Sequence, residues 1–156
     1  MKVYKLYREQ YLPVSIEKAW AFFSAAKNLA TITPPEMHFE ILTDLPDEEI
    51  TKGLIINYNV SPLFGIKIKW TTEIINVEAP RTFTDKQTKG PYALWEHTHV
   101  FTEVPGGVKM TDDLKYDLPL GILGTIAHTL VVKKKLDDIF EFRRKKLIEL
   151  FGEYRQ

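Results

Sequence analysis

The chain of 156 residues contains no cysteine. That absence excludes a disulfide framework and any thiol chemistry. A surplus of one charge is also missing, because 21 basic residues balance 21 acidic ones. A general nucleic-acid-binding protein needs a basic surplus to displace counterions from phosphate, so we expect no nucleic-acid partner.

Long apolar runs are missing as well. No segment is long enough to span a bilayer as an apolar helix. Residues 1–6 alternate and include two lysines, and they lack the apolar run of a secretory signal peptide. We therefore expect a soluble, cytoplasmic protein with no membrane span.

Several enzyme signatures are absent: a P-loop, a dinucleotide-binding glycine fingerprint and a Ser/His/Asp series. We therefore predict no cofactor. The chain does have enough apolar material for a core, since 44% of its residues are hydrophobic and 12% are aromatic. Its length fits one domain, and we assign residues 1–156 to it.

Apolar and polar residues alternate in seven segments, which predicts seven strands. Residues 16–26, with Ser15 as the N-cap, and residues 28–33, before two prolines, predict two short helices. A proline-free stretch with helical periodicity predicts one long helix over residues 125–154, and residues 44–49 form an acidic loop. The strands are predicted at residues 2–12, 37–43, 54–60, 66–77, 82–88, 95–101 and 108–116.

The element order predicts an α+β fold. Strands that follow one another as hairpins form an antiparallel sheet with one apolar face, and the long helix can cover that face. We expect a seven-stranded curved sheet wrapped around the C-terminal helix, with two short helices after the first strand. Such a sheet leaves a cavity next to the helix unless bulky side chains fill it.

Residues 95–101 are the most informative strand. Alternation places Trp95, His97, His99 and Phe101 on one face, so two imidazoles lie between two large aromatic rings. A turn at residues 105–106 pairs this strand with residues 108–116. The register that keeps apolar faces together sets Phe101 opposite Met110, His99 opposite Asp112, His97 opposite Leu114 and Trp95 opposite Tyr116.

Two interpretations of the histidines remain open. In the first, His97 and His99 contact a ligand or act as acid and base, since the pKa of histidine lies near neutrality. In the second, they are core histidines, each satisfied by an aspartate across the strands, Asp112 or Asp85. In both cases we expect Asp112 to be buried and to accept a hydrogen bond from a histidine, His99 first, or from a ligand or ordered water.

A metal site needs separate consideration. A His-x-His pair on a strand puts both imidazoles on one face, where a carboxylate could complete a zinc or iron site. The chain has no cysteine, and neither His38 nor His128 is placed as a clear third ligand. We therefore predict no metal.

Further aromatic and apolar side chains on the predicted sheet face are candidates for the wall of a ligand pocket. The alternative is ordinary core packing, which is the usual role of such residues. The complete set of candidate ligand-binding residues is Tyr58, Trp70, Phe83, Asp85, Gln87, Trp95, His97, His99, Met110, Asp112, Tyr116 and Leu130.

The pattern Phe83-x-Asp85-x-Gln87-x-x-Gly90-Pro91-Tyr92-x-x-Trp95-x-His97-x-His99-x-Phe101 is followed by Gly106-Gly107, Met110-Thr111-Asp112, Leu118-Pro119-Leu120-Gly121 and Phe142-Arg143-Arg144. With these motifs the chain resembles the START-like, or SRPBCC, superfamily, and more closely its polyketide cyclase/dehydrase-like ligand-binding branch. The resemblance implies the helix-grip fold. Members of the superfamily carry lipids, hormones or polyketides, and some are cyclases.

Three functions follow from these observations. The first is a protein that binds a small hydrophobic or amphipathic molecule between sheet and helix. The second is a cyclase, dehydratase or hydrolase, acting as a lyase or isomerase if it is of the polyketide cyclase type. In that case His99 is the base, Asp112 orients it, and His97 or Tyr58 polarises a carbonyl. The third is a protein-interaction module, since some members carry a cell-division-inhibitor label.

The basic clusters of the long helix are residues 133–135 and 143–146. Asp137, Asp138 and Glu141 are interleaved with them. This mixture indicates a solvated helix face rather than a lipid or nucleic-acid site.

Overall fold

The computed structural model describes residues 2–45, 49–62 and 65–155. It confirms the predicted fold class, an open seven-stranded antiparallel sheet with a long C-terminal helix. The strands are β1 (Tyr4–Leu12), β2 (Glu40–Ile41), β3 (Ile55–Val60), β4 (Ile68–Glu78), β5 (Thr82–Lys89), β6 (Leu94–Val104) and β7 (Gly107–Asp117). Their order in the sheet is β1-β7-β6-β5-β4-β3-β2.

The first helix, α1 (Ile16–Phe23), begins where the sequence predicts. The Ser15 side chain accepts a hydrogen bond from the backbone N–H of Lys18 at 3.1 Å, which satisfies one donor of the first turn. The helix ends three residues before the predicted end. A short 3₁₀ helix, Ala26–Leu29, replaces the second predicted helix.

The predicted second strand is wrong in most of its length. Residues 35–37 form a 3₁₀ helix that starts at Pro35, whose fixed backbone angle suits a first helical position. His38 then adopts a left-handed conformation with φ 48°, which ends that turn. Only Glu40–Ile41 remain as a strand. Of the predicted acidic loop, residues 46–48 lie outside the described residues.

The predicted register of β6 and β7 is confirmed. Phe101 lies opposite Met110, and His99 lies opposite Asp112. On the other side of β6, His97 pairs with Asp85 of β5. The two histidines therefore lie in the middle of the sheet, with an acidic strand position on each side.

The C-terminal helix is continuous from residue 122 to residue 151. It consists of α2 (Ile122–Ala127), a π-helical turn (His128–Val132) and α3 (Lys133–Phe151). Gly152, with φ 92°, ends it. The buried positions of α3 recur every three or four residues, as expected for one face of a helix, and they are Leu136, Phe140, Arg143 and Leu147.

The core consists of two hydrophobic clusters. One contains Trp20, Phe83, Phe101 and Leu147, and the other contains Leu114, Tyr116, Leu136 and Phe140. On β6, Phe101 belongs to the first cluster, and Trp95 packs against the second. His97 and His99 lie between these two positions, so the polar groups of the sheet are at the junction of the clusters.

Candidate functional site

A cavity of about 160 Å³ lies between the sheet, the short helices and α3. The helix contributes Leu136, Ile139, Phe140 and Arg143 to its wall. Most of the wall is apolar. The side chains that can carry charge in it are Asp85, His97, His99 and Arg143, and together they form a compact polar site.

The histidines and aspartates form crossed hydrogen bonds rather than pairs directly across the strands. Nε2 of His97 lies 2.8 Å from Oδ1 of Asp112, and Nε2 of His99 lies 3.0 Å from Oδ2 of Asp85. Because a carboxylate only accepts, each imidazole donates from Nε2. Nδ1 of His99 is 3.5 Å from Oδ1 of Asp112, and Nδ1 of His97 is 3.9 Å from Oδ2 of Asp85. The expected first partner of Asp112, His99, is therefore wrong, and His97 takes that role.

The pKa values of the two histidines are shifted in opposite directions. Burial lowers the pKa of His97, and the nearby charge of His99 lowers it further. For His99, burial also favours the neutral form, but its contacts with Asp112 and Asp85 outweigh burial and raise its pKa. The environment of His97 thus favours its neutral form, with Nδ1 unprotonated, whereas the two carboxylates around His99 favour its protonated form.

Both aspartates are held in the ionised form. Burial alone would raise the pKa of Asp112, but the hydrogen bond to His97, the nearby His99 imidazole and the charge of Arg143 lower it. The pKa of Asp85 is also lowered: burial opposes the shift, and the bond to His99 outweighs it. Asp112 is only 3% exposed, so the predicted burial of this residue is confirmed.

Arg143 is the functional candidate that sequence reasoning missed. The sequence pattern places it in a solvated basic cluster, but its side chain is only 8% exposed and turns towards the sheet. Its Nη1 lies 3.7 Å from Oδ1 of Asp112, and its guanidinium carbon lies 4.9 Å from the centre of the Phe140 ring. The helical spacing to Phe140 and Leu147, three and four residues away, is the signal that could have placed it on the buried face.

Asp112 itself faces a second, smaller cavity of about 110 Å³, between β1 and α3. Arg8, Phe140 and Arg143 also line it. Phe140 and Arg143 contribute to the walls of both cavities. Asp112 is not part of the wall of the larger cavity, which instead contains its neighbours His97, His99 and Arg143.

Aromatic rings form the wall near β3, β4 and β6. Tyr58 stacks on Trp70 with ring centres 5.8 Å apart, and Trp95 meets Trp70 edge to face at 5.1 Å. Tyr92 lies 4.8 Å from Trp95. Burial raises the pKa of Tyr58, so its phenol stays neutral. The Trp70 indole N–H is buried and has no hydrogen-bond partner among the residues described.

The structure brings seven of the twelve candidate residues into the cavity wall, and contact of these seven with a ligand stays a prediction. They are Tyr58, Trp70, Phe83, Asp85, Trp95, His97 and His99.

The other five candidates lie away from that wall. Gln87 bonds with its side chain to the backbone N–H and C=O of Tyr92, so it fixes the turn before β6. Met110 is packed in the first hydrophobic cluster. The Tyr116 hydroxyl lies 2.8 Å from Nε2 of His128. Asp112 stands behind the histidines, and Leu130 is 73% exposed.

A metal ion could fit the spacing of Asp85, His97 and His99, whose ligand atoms lie within 4.8 Å of one another. Two features oppose a divalent cation there. The Arg143 guanidinium already brings positive charge to the cluster. Nε2 of His99 is also engaged with Asp85. The absence of a metal stays a prediction.

An open antiparallel sheet that curves around a C-terminal helix, with a cavity between them, is the helix-grip architecture. No family model and no curated protein matches the sequence. Several solved structures, however, have a similar fold. TTHA0849 from Thermus thermophilus superimposes with a TM-score of 0.63 at 18% identity, covering 94% of this chain and 99% of that one.

Two further structures extend this likeness. CV1439 from Chromobacterium violaceum has a TM-score of 0.71 at 12% identity and covers 96% of this chain and 98% of its own. The structure of Ara h 8.0201 has a TM-score of 0.62 at 15% identity, with 95% and 99% covered. At these identities the similarity shows the fold and nothing finer.

Proposed function

We propose that the chain is a small-molecule-binding protein that holds a hydrophobic or amphipathic ligand in the cavity between sheet and helix. The observation that carries the proposal is an apolar cavity whose wall contains buried hydrogen-bond donors without a partner. The indole N–H of Trp70 and Nε–H of Arg143 are both of this kind within the described part of the chain. A buried donor without an acceptor is costly, and a ligand oxygen would remove that cost.

The volume limits the size of the ligand. A dry apolar cavity of about 150 Å³ accommodates one benzene-sized ring. With about 160 Å³, the cavity suits a compact aromatic body. Aromatic metabolites therefore fit better than fatty acids or extended polyketides, which need the wall to open. The helix-grip resemblance supports a ligand between sheet and helix. A polyketide-like ring system belongs to the same chemical class as the aromatic metabolites.

The charges define the polar group of the ligand. Two ionised carboxylates, Asp85 and Asp112, face the Arg143 guanidinium and His99, whose pKa is raised by these carboxylates. The cluster therefore has no surplus of positive charge, and an anionic ligand would add an unbalanced buried charge. A carbonyl or hydroxyl oxygen accepts from Arg143 or Trp70 without that cost. We expect neutral oxygen acceptors to bind better than carboxylates, phosphates or nucleotides.

Ligand-observed NMR with a matched pair, acetophenone and ethylbenzene, tests this function. Both have one ring, and only acetophenone has a carbonyl. We expect both to bind, with acetophenone the tighter ligand, and benzoate to bind weakly. Native mass spectrometry of protein purified from its own host should show a retained small molecule. If neither ring compound binds and no molecule is retained, the proposal is wrong.

The shifted pKa values on the cavity wall favour one second function, an enzyme of the cyclase, dehydratase or hydrolase type. The structure changes the roles expected for such an enzyme. The raised pKa of His99 makes it the less suitable base, whereas the lowered pKa of His97 favours an unprotonated Nδ1, and Asp112 orients this ring through Nε2. Turnover of an ester or polyketide mimic that survives in His97→Gln would contradict this alternative.

A further inference from the structure

The segment between β7 and α3 is apolar and uncharged. Residues 118–132 contain no Asp, Glu, Lys or Arg. Three lysines, residues 133–135, follow immediately, and all three are exposed. A run of this length is too short to cross a bilayer, but it suits a segment that lies at a membrane surface.

The structure exposes the large side chains of this segment rather than burying them. Ile122 is 79% exposed, Leu120 is 75% exposed, and Leu123 and Ile126 follow at 66% and 50%. With Leu130, at 73%, these five residues form one exposed group, the apolar patch. Monomeric proteins rarely leave large contiguous apolar patches without a partner.

Helical spacing explains how the patch forms. Gly124, His128 and Val132 recur every four residues and are buried against the fold. Ile122, Ile126 and Leu130 recur with the same spacing on the exposed side.

The backbone before α2 also favours exposure. Leu120 has a positive φ of 74°, a conformation that is strained for a leucine, and its side chain is 75% exposed. Such strain is common at binding surfaces.

The polar groups of the segment do not point to a protein partner. The Thr125 hydroxyl donates to the Gly121 carbonyl at 3.3 Å, and the Thr129 hydroxyl donates to the Thr125 carbonyl at 3.1 Å. His128 is bonded to the Tyr116 hydroxyl inside the protein. Protein interfaces carry about one hydrogen bond per 100–200 Å², whereas these side chains already have partners within the protein. The patch therefore suits a partner that makes no directional contacts.

The neighbouring charges select the headgroup chemistry. Lys133 and Lys134 pair with Asp137 and Asp138 one turn further along the helix, at 3.0 and 2.9 Å, and these side chains are largely exposed. Lys135 forms no ion pair with any residue that the structure describes. Lys2, whose ammonium lies 5.2 Å from the Tyr4 ring, is also near, because Tyr4 stacks on His128. Positive charge therefore flanks the patch, so residues 133–135, which the sequence alone indicates to be a solvated helix face, here take the role of a lipid-facing cluster.

We propose that the apolar patch docks on an anionic lipid surface, with its leucines and isoleucines at the headgroup–acyl boundary and the lysines on the anionic headgroups. This interaction is independent of the cavity and of its ligand. Burial of apolar side chains provides the main binding energy, and each lysine near the surface adds to it at low salt.

Vesicle flotation tests the proposal with the full-length protein. The vesicles are phosphatidylcholine alone or phosphatidylcholine with phosphatidylserine. We expect clear binding to the anionic vesicles, weaker binding to neutral ones, and a decrease with added salt. The double variant Ile122→Ser/Leu123→Ser should bind about tenfold or more weakly, since two large apolar contacts are lost.

The matched control is Ile66→Ser, because Ile66 is an exposed isoleucine, 61% exposed, that lies far along the chain from the patch. It should bind vesicles as the wild type does, and thermal melts should show that all variants fold. Equal binding by the double variant, or no binding to anionic vesicles, overturns the proposal. A stable dimer that the double variant converts to a monomer, without vesicle binding, would assign the patch to a second copy instead.

Discussion

Asp112 and His97 are joined by a 2.8 Å hydrogen bond although they are not opposite each other in the strand pairing. Asp112 lies directly opposite His99, whose Nδ1 is 3.5 Å away. Arg143 approaches the same Oδ1 atom from the helix, at 3.7 Å. One buried carboxylate oxygen is therefore the common neighbour of two imidazoles and a guanidinium, and it connects the sheet to α3.

The first prediction concerns stability. Asp112→Ala leaves the donor of His97 and the charge of Arg143 without a partner. Removal of one member of a buried ionic cluster costs about 3–5 kcal/mol. Urea unfolding should show this loss, and Asp113→Ala is the matched control, because Asp113 is the next residue on β7 and faces the other side of the sheet. A similar loss in both variants would contradict the role of Asp112.

The second prediction concerns pH. The raised pKa of His99 stabilises the fold fully below the unfolded-state pKa of about 6.5, and this stabilisation is lost as pH rises through the folded-state pKa. The lowered pKa of His97 has the opposite sign, so stability is lost as pH falls below about 6.5.

Measurement of the free energy of unfolding against pH separates the two histidines. His99→Gln should remove the decline on the alkaline side, and His97→Gln should remove the decline that starts on the acidic side. Each variant is the control for the other. Parallel profiles for both variants would show that the two histidines do not differ in protonation.

The third prediction concerns the cavity wall. Trp95→Ala and His97→Ala should weaken binding of an apolar fluorescent probe by about tenfold, because each removes part of the wall. Competition by acetophenone should displace the probe. Lys145→Ala, an exposed change on the basic face of α3, is the control and should leave the affinity unchanged. If the wall variants bind normally and changes on the basic face abolish function, an interaction module replaces the pocket.

The fourth prediction concerns the polar group of the ligand. Arg143→Lys retains the charge but loses the Nε donor, so acetophenone should lose its advantage over ethylbenzene while ethylbenzene binds as before. Arg144→Lys is the matched control, since Arg144 is exposed and paired with Glu141 at 2.7 Å. An unchanged affinity ratio in Arg143→Lys would remove Arg143 from ligand recognition and leave the cavity function intact.

The sheet and its register could be predicted because alternation fixes which side chains share a face. A shift of one residue at β6 and β7 would place Glu96 against apolar side chains, so the pairing of Trp95 with Tyr116 has no good alternative. The short strand at Glu40–Ile41 could not be predicted. Its boundaries depend on the left-handed turn at His38, which is a local backbone choice that apolar spacing does not show.

The sequence predicts which residues form the polar site, but it does not predict which of them are hydrogen-bonded to each other. Register gives the positions of Asp85, His97, His99 and Asp112, but the crossed hydrogen bonds depend on side-chain rotamers. Arg143 was missed because a charged residue within a basic cluster usually faces solvent. The sequence also predicts that the helix closes the cavity near Leu130, which is too early in the chain. The error arises because the exposed apolar residues before α3 have the same spacing as a buried helix face.

The pairing of β1 with β7 has a consequence for biosynthesis. Tyr4 finds its partner Tyr116 only after the whole stretch between the two residues has been made. During synthesis on the ribosome the first strand therefore has no neighbour, and its backbone donors and acceptors stay solvated or available to other chains. High contact order of this kind slows folding to milliseconds or seconds. Nascent chains that stop before residue 107 should consequently be held by chaperones or aggregate, whereas chains that extend through β7 can complete the sheet.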